Sequence, residues 1–519
     1  MLETYRPEAF TDFSQAHEQA AFLAAMDKVK SEIGRTYPLV IDGREVFTEQ
    51  TFPSLNPARP AEVLGHFAMA SVEQTEQALQ AATRAFQTWK HTPPMERARY
   101  LLRAAAEMRR RKHEFSAVMV LEVGKSWAEA DADTAEAIDF LEYYARQALR
   151  ISDSSHLLFP YPGEQLQLQY IPLGVGAVIP PWNFANAILA GMTSAALVMG
   201  NTVLLKPAEQ SPWTGYKVAQ LFWEQGLPPG VLNFLTGDGP TVGGRMVNSP
   251  LTRFIAFTGS KAVGLLINEQ AAKIAPGQKW LKRAILEMGG KDAVVVDETA
   301  DLAAAAQGIV ASAFGFQGQK CSAGSRAIIV DSVYAEVAER AAALAQKLSV
   351  GPTDASHQVY MGPVVDEEAF QKIMRYIEYG RGRYPLLSGG GAIETEGNGY
   401  FIAPTMFGDV PPSDKLSQEE IFGPVVALSR ARDFEEALHL VNDTEYGLTG
   451  ALYSRDRARL EQARAQYHVG NLYFNRKCTG AIVGVHPFGG FNMSGTDSKA
   501  GGPDYLLLFS QAKSIAEKL

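Results

Sequence analysis

Downstream of Ser71 the apolar residues Val72, Leu79, Ala82, Phe86 and Trp89 recur at helical spacing, and Ser71 with Gln74 forms a capping-box signature. The pattern predicts a helix there and a second over residues 134–150 (TAEAIDFLEYYARQALR), so the first 150 residues read as mainly helical. The rhythm breaks at 154–174. Pro162-Gly163 is a turn signal, and Leu166, Leu168 and Tyr170 alternate with polar residues, which predicts a hairpin. From Val175 onward short continuous apolar runs alternate with helical stretches: 177–179 (AVI), 203–205 (VLL), 231–235 (VLNFL) and 254–257 (FIAF). Strands apolar on both sides are covered on both sides, the mark of a parallel sheet between helices. A second block begins at 293–296 (AVVV) and continues through 327–330 (AIIV). Two doubly wound α/β domains meeting near residue 287 are the economical arrangement. The most apolar stretch, 187–200, contains Thr193 and Ser194 and falls short of the roughly 20 residues a membrane span needs. It predicts a buried helix and no membrane partner.

A chain of 519 residues is long enough for two or three domains, and 46% hydrophobic with 20% charged residues is an ordinary globular balance. The net charge of -9 argues against nucleic acid, whose phosphates call for a Lys/Arg surplus. The dense basic run Arg109-Arg110-Arg111-Lys112 reads as a solvated helix face. Two cysteines, Cys321 and Cys478, build neither a disulfide framework nor a CxxC metal site, which suits a reducing compartment. MLETYRPEAF lacks a basic segment followed by an apolar one, so no secretory signal is expected and the cytoplasm is the expected location.

Candidate chemistry centres on Cys321. It lies in GFQGQKCSAGSR, bracketed by Gly315, Gly318 and Gly324, with Lys320 expected to place positive charge beside the sulfur. By itself the residue reads equally as a nucleophile or as a small buried hydrophobe. A catalytic thiol needs activation, an oxyanion hole and a base for the later water. Glu287 in LEMGGKD offers the base, or is a structural carboxylate. Asn183, just after the strand ending at Ile179, offers an amide donor, or caps a turn. Cys478, in RKCTG, reads as a non-catalytic loop residue. FTGSKAVG puts Gly259, Ser260 and Gly264 between a strand and a helix, where backbone N–H groups and the helix dipole can meet a pyrophosphate. A turn that simply needs glycine reads the same way.

PPWNFAN, KPAEQSP, FTGSKAVG, LEMGGKD, GFQGQKCSAGSR, EEIFGPV and PFGGFNMSG occur in the order seen in the aldehyde dehydrogenase superfamily, which the chain resembles from about residue 38 onward. The resemblance implies an aldehyde dehydrogenase-like α/β fold with a β bridging arm. It implies Cys321 as nucleophile, Glu287 as general base and Asn183 as oxyanion donor. On the cofactor side it implies Pro181, Trp182, Lys206 and Glu209, the last two at the adenosine ribose, together with Gly259, Ser260 and Gly264. Glu420 at the nicotinamide ribose and Phe422 near the ring complete that set. A carboxylate at Glu209 repels a ribose phosphate, so NAD is expected over NADP.

The stretch 475–506 most resembles the branch of that superfamily that oxidises glutamate gamma-semialdehyde to glutamate, the second step of proline degradation. That implies a small amino-acid semialdehyde as partner. Its carboxylate is expected at Ser322, Gly480 and Ala481, its aliphatic part at Phe184 and Phe488, and its amino end near Glu136. Ala185 and His486 are local departures from the pattern. At this length the chain is expected to act without a proline dehydrogenase half. The implied organisation is a dinucleotide domain (1–153 and 173–286), a catalytic domain (287–490) and a bridging element (154–172 and 491–519), with a homo-oligomer built on the arm. Rival readings are a dehydrogenase for another semialdehyde or an aliphatic aldehyde, a CoA-acylating relative, and a scaffold that has kept the fold.

Overall fold

The computed structural model describes residues 3–152 and 154–519. Two seven-stranded sheets organise the chain. In the first, spatial order runs Arg283–Glu287, Thr252–Thr258, Val175–Ile179, Thr202–Leu205, Leu232–Phe234, Leu39–Ile41 and Arg44–Val46. The first five are parallel; the N-terminal pair closes the edge antiparallel. All four apolar runs expected in this half are strands. Their residues Val178, Val203, Leu205, Phe234 and Phe254 are fully buried between helices, as continuous apolar runs require. In the second sheet the order is Leu386–Ser388, Thr405–Phe407, Val425–Ala431, Gly324–Val330, Asp292–Val296, Thr449–Tyr453 and Asn471–Phe474, parallel except for the first pair. Only Met288, Gly289, Gly290 and Lys291 separate the last strand of one sheet from the centre of the other.

The helix Ala187–Val198 is buried at every position but Ile188 and packs on the long helix Trp127–Ser152. Among the described residues no helix is long and apolar enough to cross a membrane. Ser71 and Gln74 form the expected reciprocal cap of Val72–Trp89. The basic run is ion-paired: Arg109 to Glu8 and Glu142, Arg110 to Glu107, Arg111 to Glu224, and Lys112 to the buried Asp131.

The first 150 residues are mainly helical, as expected, but residues 35–68 also include an unforeseen three-stranded sheet of Arg35–Tyr37, Arg59–Ala68 and Thr51–Asn56. These strands are short or half-exposed and contain Pro53 and Pro60, so they show no apolar run; a stack of Tyr37 on Phe67 helps hold them. One expectation needs correction: 154–172 does not form a hairpin. Glu164–Pro172 is one strand, and its partner is Ser510–Lys518, antiparallel over nine residue pairs from Pro172↔Ser510 to Glu164↔Lys518. Alternation marks a strand and its faces but carries no information about which segment pairs with it. Phe159 and Tyr161, just before this arm, are exposed.

Candidate active site

Six predicted positions follow the carboxyl ends of neighbouring parallel strands. Pro181, Trp182 and Asn183 follow Val175–Ile179, Lys206 follows Thr202–Leu205, and Gly259 and Ser260 follow Thr252–Thr258. Glu287 ends Arg283–Glu287. Crevices at that end of an open parallel sheet are where dinucleotides bind.

The loop leading to Cys321 is wound tightly. Phe316, Gln317 and Gly318 all have positive φ (48°, 56° and 67°), a run that non-glycine residues adopt only when their surroundings enforce it. Gln317 enforces it by donating to Gly124 O (3.0 Å) and Pro363 O (2.8 Å). A Cβ at Gly318 would collide with the carbonyl of Gly423. Asn183 Nδ2 donates to Gln319 O (3.1 Å), so the predicted oxyanion donor is tied to the backbone two residues before the thiol. From the other side the Gly289-Gly290 link comes close enough that a Cβ at Gly290 would stand 2.5 Å from Cys321 O. Gly290 N donates to Glu420 Oε1 (3.0 Å), which brings that predicted cofactor contact to the same spot.

Burial pushes the largely buried Cys321 thiol well above its ordinary pKa, and the carboxylates of Asp292, Glu420 and Glu287 push it further. The positive charge expected from Lys320 is not beside the sulfur. Its ammonium is held by both oxygens of Glu129 (2.7 Å each), and the charges felt most by the thiol are carboxylates. The resting thiol is therefore protonated near neutral pH and depends on a base. Burial raises Glu287 to about 8, while hydrogen bonds from Ser498 Oγ and Gly490 N–H oppose the rise. Its Oε2 is buried without a hydrogen-bond partner, an acceptor left free.

On the cofactor side, Ser260 caps the helix Lys261–Ala272 by accepting from Val263 N, and Ala262 and Val263 of its first turn are exposed. Gly259 N–H is already donated to Glu287 O (3.0 Å), so this glycine joins the turn to the candidate base. Gly264 lets Met288 pack closely on this helix, since a Cβ there would meet Met288 Sδ. Lys206, buried, reaches Glu209 Oε1 at 2.8 Å. Trp182 meets Phe422 edge-on, with ring centroids 5.6 Å apart. A helix N-terminus, a lysine–carboxylate pair and an aromatic corner along one strand-end crevice fit a dinucleotide.

A cavity of about 440 Å³ includes both sequence neighbours of Cys321 in its wall. It brings together Glu136, Phe184, Ser322, Gly480 and Ala481, five of the six predicted substrate contacts. Phe488 does not line it. Its backbone pairs with Ala500, and the next residue, Gly489, lies against Glu287. A larger surface hollow of about 880 Å³, against Arg84 and Arg245, contains none of the predicted site residues. Cys478 is buried in the core behind the cavity, its Sγ 3.4 Å from Ser322 O.

Glu129, Lys477, Lys125, Asp133 and Ser498 were not among the predicted residues. Glu129, Asp133 and Glu136 recur at steps of four and three on one helix face, a signal that was readable. Lys125 is fully buried, paired with Asp133 (2.7 Å) and 4.5 Å from the Phe184 and Phe316 ring centroids. Ser498 carries no local mark.

The aldehyde dehydrogenase family model matches residues 46–515. The 1-pyrroline-5-carboxylate dehydrogenase of Geobacillus thermodenitrificans is 59% identical, and that of Bacillus subtilis 55%, with all of both chains covered in each case. The structure of the Thermus 1-pyrroline-5-carboxylate dehydrogenase with bound NAD superposes with a TM-score of 0.97 at 53% identity, again covering all of both chains. With the thiol, the carboxylate and the strand-end crevice arranged as described, the chain belongs to the aldehyde dehydrogenase family.

Proposed function

We propose that the protein oxidises L-glutamate gamma-semialdehyde, formed when 1-pyrroline-5-carboxylate takes up water, to L-glutamate with NAD, the second step of proline degradation. The observation that carries this reading is the cavity flanking Cys321. Its wall combines a hydroxyl (Ser322) and a glycine turn (Gly480, Ala481) suited to a carboxylate with an aromatic ring (Phe184) suited to a short aliphatic chain. Its volume of about 440 Å³ suits a small molecule.

Glu287, or water next to it, takes the proton of Cys321, and the thiolate adds to the aldehyde carbon. The second N–H of the Asn183 amide and the Cys321 backbone N–H hold the oxyanion; losing one such donor costs roughly 100- to 1000-fold in rate. NAD, when bound, supplies the hydride acceptor. Hydride departure leaves an acyl thioester on Cys321. Once that first proton has passed to solvent, the ionised Glu287 withdraws a proton from water, whose oxygen displaces Cys321 as thiolate and releases glutamate.

The same reading assigns 1–153 with 173–286 to dinucleotide binding, 287–490 to catalysis and 154–172 with 491–519 to bridging. It is supported by one sheet on each side of the Met288–Lys291 link. Free edges on the two-stranded arm favour a homo-oligomer. Two free cysteines suit the reducing cytoplasm.

The test is a steady-state assay of NADH formation from pyrroline-carboxylate, succinate semialdehyde and an alkyl aldehyde, with NAD or NADP. Pyrroline-carboxylate with NAD should give the highest kcat/KM, Cys321→Ala should give none, and added CoA should leave the rate unchanged. Faster turnover of another aldehyde would overturn the substrate.

A further inference from the structure

The cavity beside Cys321 holds more charge than the predicted residues supply. Lys320 and Lys477 both line it, with Glu129, Glu136 and Asp139. Glu129 is committed to Lys320 through both oxygens. Burial alone would raise the Glu129 carboxyl, but the lysines, Lys320 foremost, hold it below the usual carboxylate range, so it is ionised. Glu136 is pushed up to about 8 by burial and by Asp133, so it is largely neutral near pH 7. Asp139, pushed up to about 7 by burial, accepts from Glu8 N–H (2.8 Å), so Lys477 is the lysine of this wall whose ammonium is left without an ion pair among the described residues.

That ammonium lies over the glycine turn. Gly480 has φ +81°, and a Cβ placed there would stand 3.4 Å from Lys477 Cε and 3.8 Å from its Nζ. The neighbouring cation, Arg476, serves differently. Its Nη2 donates to Thr479 O (2.8 Å) and Gly480 O (3.0 Å) and so holds the turn's carbonyls. Lys477 is exposed at the cavity wall, so its ammonium stays available to an incoming anion, whereas Lys320 is already taken by Glu129.

Given the substrate proposed above, we infer that Lys477 is a specificity-determining residue whose ammonium recognises the substrate carboxylate seated on the Gly480–Ala481 turn. Aldehydes that carry a carboxylate gain a charge-assisted contact there, and plain alkyl aldehydes gain nothing. The charge also explains how a turn of neutral backbone donors can prefer an anion in a cavity that already contains acidic side chains.

The test compares kcat/KM for pyrroline-carboxylate with that for pentanal in the full-length wild type, Lys477→Met and Lys477→Arg. The wild-type preference should fall about tenfold or more in Lys477→Met, through KM with kcat within about threefold, and Lys477→Arg should restore most of it. Inhibition by the product glutamate should weaken in parallel. If Lys477→Met does not fold, Lys477→Gln is read in the same way. A wild type that discriminates beside a Met or Gln variant that discriminates equally well overturns the role of Lys477 alone. A wild type that turns over pentanal as well as pyrroline-carboxylate overturns the substrate itself, and this role with it.

Discussion

Glu287 sits between two demands. As a base it must be ionised, yet burial holds its pKa near 8. Below that value the neutral acid dominates, so thioester hydrolysis should quicken as pH rises through about 8 and level off above it. Ser498 donates to the carboxylate and lowers its pKa, so Ser498→Ala should move this limb to higher pH. Glu287→Gln should abolish the limb, cut kcat roughly 100- to 10,000-fold and leave a burst of one NADH per subunit in stopped flow. A pH profile unchanged by either substitution would remove Glu287 from the base role. Cys321, Glu287 and Asn183 could be read from the chain because each sits inside a dense local motif. Ser498 could not, because it reaches Glu287 from 211 residues away. Lys320 misled for a related reason. Adjacency in sequence says nothing of the direction of a long side chain, and this one is held by Glu129.

The helix Trp127–Ser152 supplies the cavity wall and anchors its neighbour. Asp133 pairs with Lys125, both side chains 0% exposed, and its other oxygen accepts from Ala187 N (2.7 Å). Asn186 gives that second helix no side-chain cap, so Asp133 caps it from outside. Removing one member of a buried pair typically costs about 3–5 kcal/mol because the other charge is stranded. Lys125→Met and Asp133→Leu should each lower the guanidinium midpoint accordingly, and the double substitution should lose less than the sum. Additive losses would deny the coupling. At this scale the central strands were legible because burial on both faces forces uninterrupted apolar runs. The sheet over residues 35–68 was not, since its strands are only partly covered and carry prolines. The arm's strand was visible from alternation, but its partner segment was not.

The whole molecule joins two sheets through four residues, and the thiol, the candidate base and Glu420 converge on that join. The arm stands apart from it. Deleting residues 510–519 would bare an edge of Glu164–Pro172, and light scattering should then report a loss of defined oligomers in favour of monomer or irregular aggregates. Unchanged assembly would take the arm out of the interface. The pairing Pro172↔Ser510 also has a temporal side. A ribosome adding about 5–20 residues per second finishes one strand tens of seconds before its mate exists. Throughout that interval the nascent edge is shielded chiefly by its own Gln165, Gln167 and Gln169. Translation that stalls in the last stretch of the message would release a chain with both sheets formed and an adhesive margin, a natural client for chaperones.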